Sequence, residues 1–143
     1  MQHWITYCLC TSLAYCSVGC GGSETVSVVP VYGKVTIGGD APGKDGSVTF
    51  TVVEPAEGFP RRPATATFAA DGSYEATSFE PGDGLVPGKY VAVIQCYDGT
   101  PTDDDPTSFD RLNVVPKTYR PEVNVDPAAD SVEANFDVPP KTN

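Results

Sequence analysis

The sequence predicts an all-β protein: a single Greek-key β-sandwich of about seven strands, preceded by a signal peptide. Three observations carry this expectation. Gly and Pro number 14 each in 143 residues, far above the usual share, and interior Gly and Pro cost too much for a helix bundle. Apolar and polar residues alternate in short runs between turn signals, and no stretch of the body sustains a 3.6-residue period. From Met1 to Gly19 there is no Lys, Arg, Asp or Glu, and every proline lies at Pro30 or later; so sharp a break in composition marks a processing segment.

Taken in order, Val31, Gly33, Val35 and Ile37 share one face of a first strand, which Gly38-Gly39-Asp40 and Pro42-Gly43 turn. Ser47 to Val53, with Val48, Phe50 and Val52 on one face, is a second strand, and Pro63 to Phe68 a third. Asp71-Gly72 is a hairpin signal, because this pair accepts positive φ and matches the strand twist. Tyr74 to Phe79 follows as a fourth strand, broken by Glu80-Pro81-Gly82-Asp83-Gly84. Gly88 to Tyr97 reads as the longest strand, with Tyr90, Ala92, Ile94 and Cys96 on one face. Val91 and Val93 on the other face predict a central strand covered on both sides. Pro101 to Pro106, with Asp103-Asp104-Asp105, reads as a solvated loop. A late strand runs from Val132 to Val138. The expected core is Phe50, Phe68, Tyr74, Tyr90, Ile94 and Phe136. The length suits one domain. The expected boundaries are 1–19 signal peptide, 20–28 tether, 29–138 sandwich and 139–143 tail.

The leader carries a weak apolar core of about 15 residues, Trp4 to Val18, short of the roughly 20 needed to span a bilayer. Its opening Met1-Gln2-His3 lacks the usual Lys or Arg. Ser17-Val18-Gly19-Cys20, followed by Gly21-Gly22-Ser23, resembles a bacterial lipobox and its tether. The resemblance implies that the Cys20 thiol takes a diacylglycerol, that cleavage precedes it, and that the exposed amine is then acylated with a palmitate-type chain. Val18 and Gly19 fit, whereas Ser17 stands where Leu is usual. Cys16 competes, with Leu13 and Ala14 well placed, but Tyr15 is bulky at the cleavage position. Two or three acyl chains suffice for stable anchoring. With Cys8, Cys10 and Cys16 discarded and Cys20 lipidated, Cys96 is left alone, which argues against a disulfide framework and for a small buried hydrophobe.

The body carries three further motifs. Val31-Tyr32-Gly33-Lys34-Val35 matches a V-x-G-x-V opening strand. Phe68-Ala69-Ala70-Asp71-Gly72-Ser73-Tyr74 approaches a T-x-x-D-G-x-Y hairpin, with Phe68 and Ala70 departing from it. Pro87-Gly88-Lys89-Tyr90-Val91-Ala92-Val93 contains P-G-x-Y-x-V. Together these resemble carboxypeptidase regulatory-like, or transthyretin-like, domains, and more closely the small bacterial lipoproteins built from one such domain. The loop Phe79 to Gly88, Val115-Pro116-Lys117-Thr118-Tyr119 and Phe136-Asp137-Val138 extend the likeness over residues 29 to 138. It implies a transthyretin-like sandwich without catalytic residues of its own.

Composition narrows the function classes. With 9 basic and 19 acidic residues the net charge is −10, unsuited to nucleic acid, which needs clustered Lys and Arg. The one histidine, His3, lies in the leader, so a mature chain lacks the base of Ser-His-Asp or Cys-His catalysis and the imidazole of common zinc sites. Paired carboxylates remain for a carboxylate-dependent hydrolase, though most acidic residues sit at turns, where local hydrogen bonding explains them. Asp103, Asp104 and Asp105, with Asp98 and Asp110, are oxygen ligands for calcium in principle, but without an EF-hand pattern they read as a solvated loop. No cofactor is expected. Trp4, the only Trp, falls in the leader; this leaves Tyr32, Tyr97 or Tyr119 as stacking platforms for a sugar. Arg61-Arg62 is a basic pair for an anionic partner or plain surface charge, and edge-strand pairing with another protein is open. The expectation is a non-enzymatic lipoprotein anchored to the membrane through its N-terminal lipid. It would make structural or adhesive contacts with an envelope protein or glycan. Gly21 after the cysteine favours the outer over the inner membrane. The alternatives are a soluble secreted module binding peptide or carbohydrate, and the carboxylate-dependent hydrolase.

Overall fold

The computed structural model describes residues 25–141. The leader 1–19, Cys20 and Cys16 lie outside the described residues, as do the last two residues of the tail. The elements are β1 (Val31–Ile37), β2 (Gly46–Pro55), β3 (Ala64–Phe68), β4 (Ser73–Glu75), β5 (Gly88–Cys96), α1 (Thr107–Leu112), β6 (Glu122–Val125), β7 (Val132–Glu133) and β8 (Phe136–Val138). The described residues are all-β apart from one short helix. Its strands form one curled sheet in the order β6-β5-β2-β3-β4-β1-β7, with β8 also beside β1. Neighbours are antiparallel, except that β7 and β8 run parallel to β1.

Period-two alternation supplies one apolar face per strand, and the curl closes those faces on each other. The Phe50 ring lies 6.2 Å from Tyr74, 6.5 Å from Tyr90 and 6.5 Å from Phe136. These four rings come from β2, β4, β5 and β8, so one aromatic cluster ties the middle of the chain to its end. All six expected core residues are buried, none more than 4% exposed. Each buried hydroxyl has a partner: Tyr74 Oη donates to Ala134 O at 2.6 Å, and Tyr90 Oη to Val86 O at 2.5 Å. Burial pushes the Tyr90 phenol up to about 12 and raises that of Tyr74 further.

Several sequence expectations are corrected. The longest strand is β2, with ten residues against nine in β5. Val91 and Val93 are half-buried, so β5 is central in the hydrogen-bonding direction but is not covered fully on both faces. The fourth strand ends at Glu75, not Phe79. Its continuation is captured by Asp83, whose carboxylate accepts the amides of Ser78 at 2.7 Å and of Phe79 and Glu80 at 3.0 Å. The late strand splits at Ala134-Asn135, where the Asn135 side-chain oxygen accepts the Lys34 amide at 2.8 Å in place of a backbone carbonyl. Two elements were not expected. β6 offers only Val123 and Val125 as apolar residues, and α1 only six residues. Both are too short for periodicity to reveal them.

Gly33 shows why the opening motif needs a glycine. A Cβ there would lie 2.0 Å from Ala134 O, so only a bare Cα lets β1 sit between β4 and the closing segment.

Candidate functional site

On β1, β3 and β4 the residues between the core positions point outward: Tyr32, Thr65 and Thr67, Ser73 and Glu75. They build a groove of about 880 Å³ whose walls include Tyr32, Asp45, Thr67, Ser73, Glu75 and Thr77. The groove follows the seam between β3 and β4, where Phe68 faces Tyr74 and Thr65 forms a separate bridge with Thr77. At one end the Phe68 ring lies over Gly46, where a Cβ would come within 2.1 Å of it. At the other end Pro81 and Gly82 close the groove, and the Gly82 amide donates to Thr77 Oγ1 at 3.0 Å. Glu75 sets its carboxylate against this loop, since a Cβ on Gly82 would stand 2.8 Å from Glu75 Oε2.

A second groove of about 460 Å³ runs along the other side of β1, past Lys34, Thr36, Glu133, Asn135 and Asp137. Tyr32 and Ser73 line both grooves. Tyr32 is therefore a ridge between two open channels, and the residue is 44% exposed. Around it stand hydroxyls, carboxylates and a side-chain amide. An aromatic face with hydroxyl and carboxylate neighbours can stack on an apolar ring face and hydrogen-bond the groups at its rim.

The other sequence candidates separate. Tyr97 and Tyr119 are only partly exposed. Tyr97 packs edge-on against Phe109 at 6.2 Å and accepts from Gln95 Nε2, and Tyr119 packs against the core. Neither is a free platform. Of the five acidic residues that could serve calcium, three are taken by ion pairs. Asp98 pairs with Lys44 at 2.7 Å, Asp110 with Lys117 at 2.7 Å, and Asp105 with Arg111 at 3.1 Å. The Lys44 ammonium holds the Asp98 carboxyl below its usual range. At Asp105 the Thr107 hydroxyl does most of the same, helped by Arg111. Among the described residues no group of three or more His, Cys, Asp or Glu side chains converges as a metal site. Asp83, inside the Gly82-Asp83-Gly84 turn, is a loop staple: partial burial would raise its carboxyl, but the three accepted amides outweigh that and hold it low. Cys96 is 1% exposed, and burial pushes its thiol up.

Arg61 and Arg62 are both used within the chain. Arg61 donates to Val52 O at 2.6 Å and Val53 O at 3.0 Å, across the β-bulge between Val52 and Glu54. Arg62 donates to Ser78 O at 2.8 and 3.2 Å, with its guanidinium 4.4 Å over the Phe79 ring. The hydroxyl and carboxylate residues of the main groove were missed as a site in the sequence. Alternation marks Thr65 and Thr67 as outward, but nothing local tells that β4 and β1 come alongside them. No protein-family model, curated protein or solved structure matches this chain.

Proposed function

We propose that this chain is a non-enzymatic lipoprotein of the bacterial envelope, held to the membrane by an acylated Cys20, outer rather than inner. It displays a Greek-key, transthyretin-like sandwich that makes adhesive or structural contacts. What supports the sandwich reading is the sheet order, in which β1 lies between β4 and the strands that end the chain. What supports anchoring is the lipobox-like Ser17-Val18-Gly19-Cys20 ahead of a described body that begins pairing at Val29. The observation that carries the contact role is the Tyr32 ridge between two open polar grooves. Its surroundings, Asp45, Glu75, Ser73 and Thr67 on one side and Asn135 and Glu133 on the other, fit a hydroxyl-rich glycan or a peptide better than an anionic ligand.

Two experiments test the reading. Globomycin should leave a heavier precursor, and Cys20→Ala should release the protein from membranes. An unmodified intact mass after export would instead give the soluble secreted module. Crosslinked envelopes should yield a partner with the native chain and lose it with Tyr32→Ala; capture unchanged by that substitution moves the contact face elsewhere. The hydrolase alternative rests on Asp45 and Glu75 lining one groove, and release of products from cell-wall glycan, abolished by Glu75→Gln, would favour it.

A further inference from the structure

Three features coincide at the end of the sheet where β1 begins. The first is the chain's own path. Val29 pairs with Leu85, Val26 and Val28 are half-buried, and Thr25 is exposed. The last five peptide steps back to Cys20 span at most about 18 Å, at roughly 3.3–3.6 Å per residue. A body acylated at Cys20 is thus held close to the bilayer with this end nearest to it.

The second feature is exposed apolar surface. Phe79, 45% exposed, and Val53, 54% exposed, both belong to this end. Phe79 follows the Ser78–Gly84 contact, and Val53, outward by alternation after the buried Val52, is the residue left without a cross-strand partner at the bulge in β2. The third is that each carries an arginine. Arg62 stacks on Phe79, and Arg61 holds the Val53 carbonyl. Lys44, Lys89, Arg111 and Lys117 are in salt bridges, whereas among the described residues Arg61 and Arg62, like Lys34, Arg120 and Lys141, are in none. Each guanidinium keeps N–H groups beyond those used on carbonyls, and its fork matches phosphate oxygens.

We infer that this end, with Phe79 and Val53 beside Arg62 and Arg61, rests on the phospholipid bilayer surface, the apolar side chains at headgroup depth and the guanidiniums on lipid phosphates. Glu57, Glu80, Asp126 and Asp130 lie in loops of the same end, so the attraction is local to the two arginines and not a net-charge effect. Paired aromatic and cationic side chains suit that interface. The inference rests on the acylation of Cys20 proposed above.

The chain supplies its own optical test. Its only Trp, Trp4, is in the leader, so Phe79→Trp gives the mature protein a single indole. The protein is purified from membranes, its mass read for acyl chains, and reconstituted in phosphatidylcholine–phosphatidylglycerol vesicles carrying lipids brominated near the headgroup. Fluorescence of the Phe79→Trp protein should fall by about half or more. That of Phe109→Trp, at the opposite end beside Tyr97, should stay within about a tenth of its lipid-free value. Val53→Trp gives a second probe if Phe79→Trp does not fold. Adding Arg61→Gln and Arg62→Gln should at least halve the quenching. Acylated protein with no quenching at either near-end probe, or with equal quenching at Phe109→Trp, overturns this inference alone. A mass without acyl chains overturns the anchor as well.

Discussion

Asp83 illustrates how one side chain ends a strand. Its carboxylate takes three consecutive amides, from Ser78, Phe79 and Glu80, that would otherwise extend β4. The buried Ser78 hydroxyl then closes the loop on Gly84 O at 2.8 Å. Charge-assisted bonds of this kind are among the stronger ones. Asp83→Ala should destabilise the protein by about 2 kcal/mol, read as a lowered denaturant midpoint with an unchanged slope. Because the folded carboxyl sits below its unfolded value, its stabilisation is complete above about pH 4 and is lost as pH falls through the folded value. The native protein should therefore lose more stability between neutral and acid pH than Asp83→Ala does. Cys96 makes the opposite point, since here burial works against the charged form. Iodoacetamide should leave its thiol unmodified in the folded protein and alkylate it once denaturant is added; rapid alkylation of native protein would contradict its position.

At the scale of elements, the decisive contact is the seam between β1 and the chain's end. Gly33 admits Ala134 O against its Cα, Tyr74 Oη donates to that same carbonyl, and Asn135 Oδ1 takes the Lys34 amide. Gly33→Ala should cost about 3 kcal/mol, because the intruding Cβ must push β7 and β8 away from β1. Tyr74→Phe should cost only about 1 kcal/mol, the worth of one hydrogen bond. Equal losses in urea titrations of the two variants would mean that the close approach at Gly33 is not what holds this seam. The V-x-G-x-V pattern was visible in the sequence, but its reason was not. The carbonyl that forbids a side chain at Gly33 lies 101 residues further along. The same distance hid the interruption at Ala134-Asn135, where strict alternation had promised one unbroken strand.

For the whole molecule, the curl makes the closing strands part of the core. Phe136 stacks on Tyr74 with ring centroids 5.9 Å apart and lies 6.5 Å from Phe50, so the sheet is incomplete until the last strand arrives. A chain stopped before Val132 should fail to fold, giving disordered far-UV circular dichroism and rapid proteolysis; a cooperative thermal transition in that truncation would refute the point. Such long-range closure also predicts slow folding, since loop-closure entropy precedes its reward.

The sequence by itself determined the strand faces, the turns and the core list, because period-two alternation and the conformational demands of Gly, Pro and Asp-Gly are local properties. The sharp change in composition ahead of Glu24 is likewise a property of the sequence alone. Only the tertiary structure decided that Tyr32 divides two grooves, that Arg61 and Arg62 serve backbone carbonyls, and that Phe79 and Val53 share the end of the sheet where β1 begins. Those facts depend on which strands lie side by side, and that is settled by the packing of residues far apart in the chain.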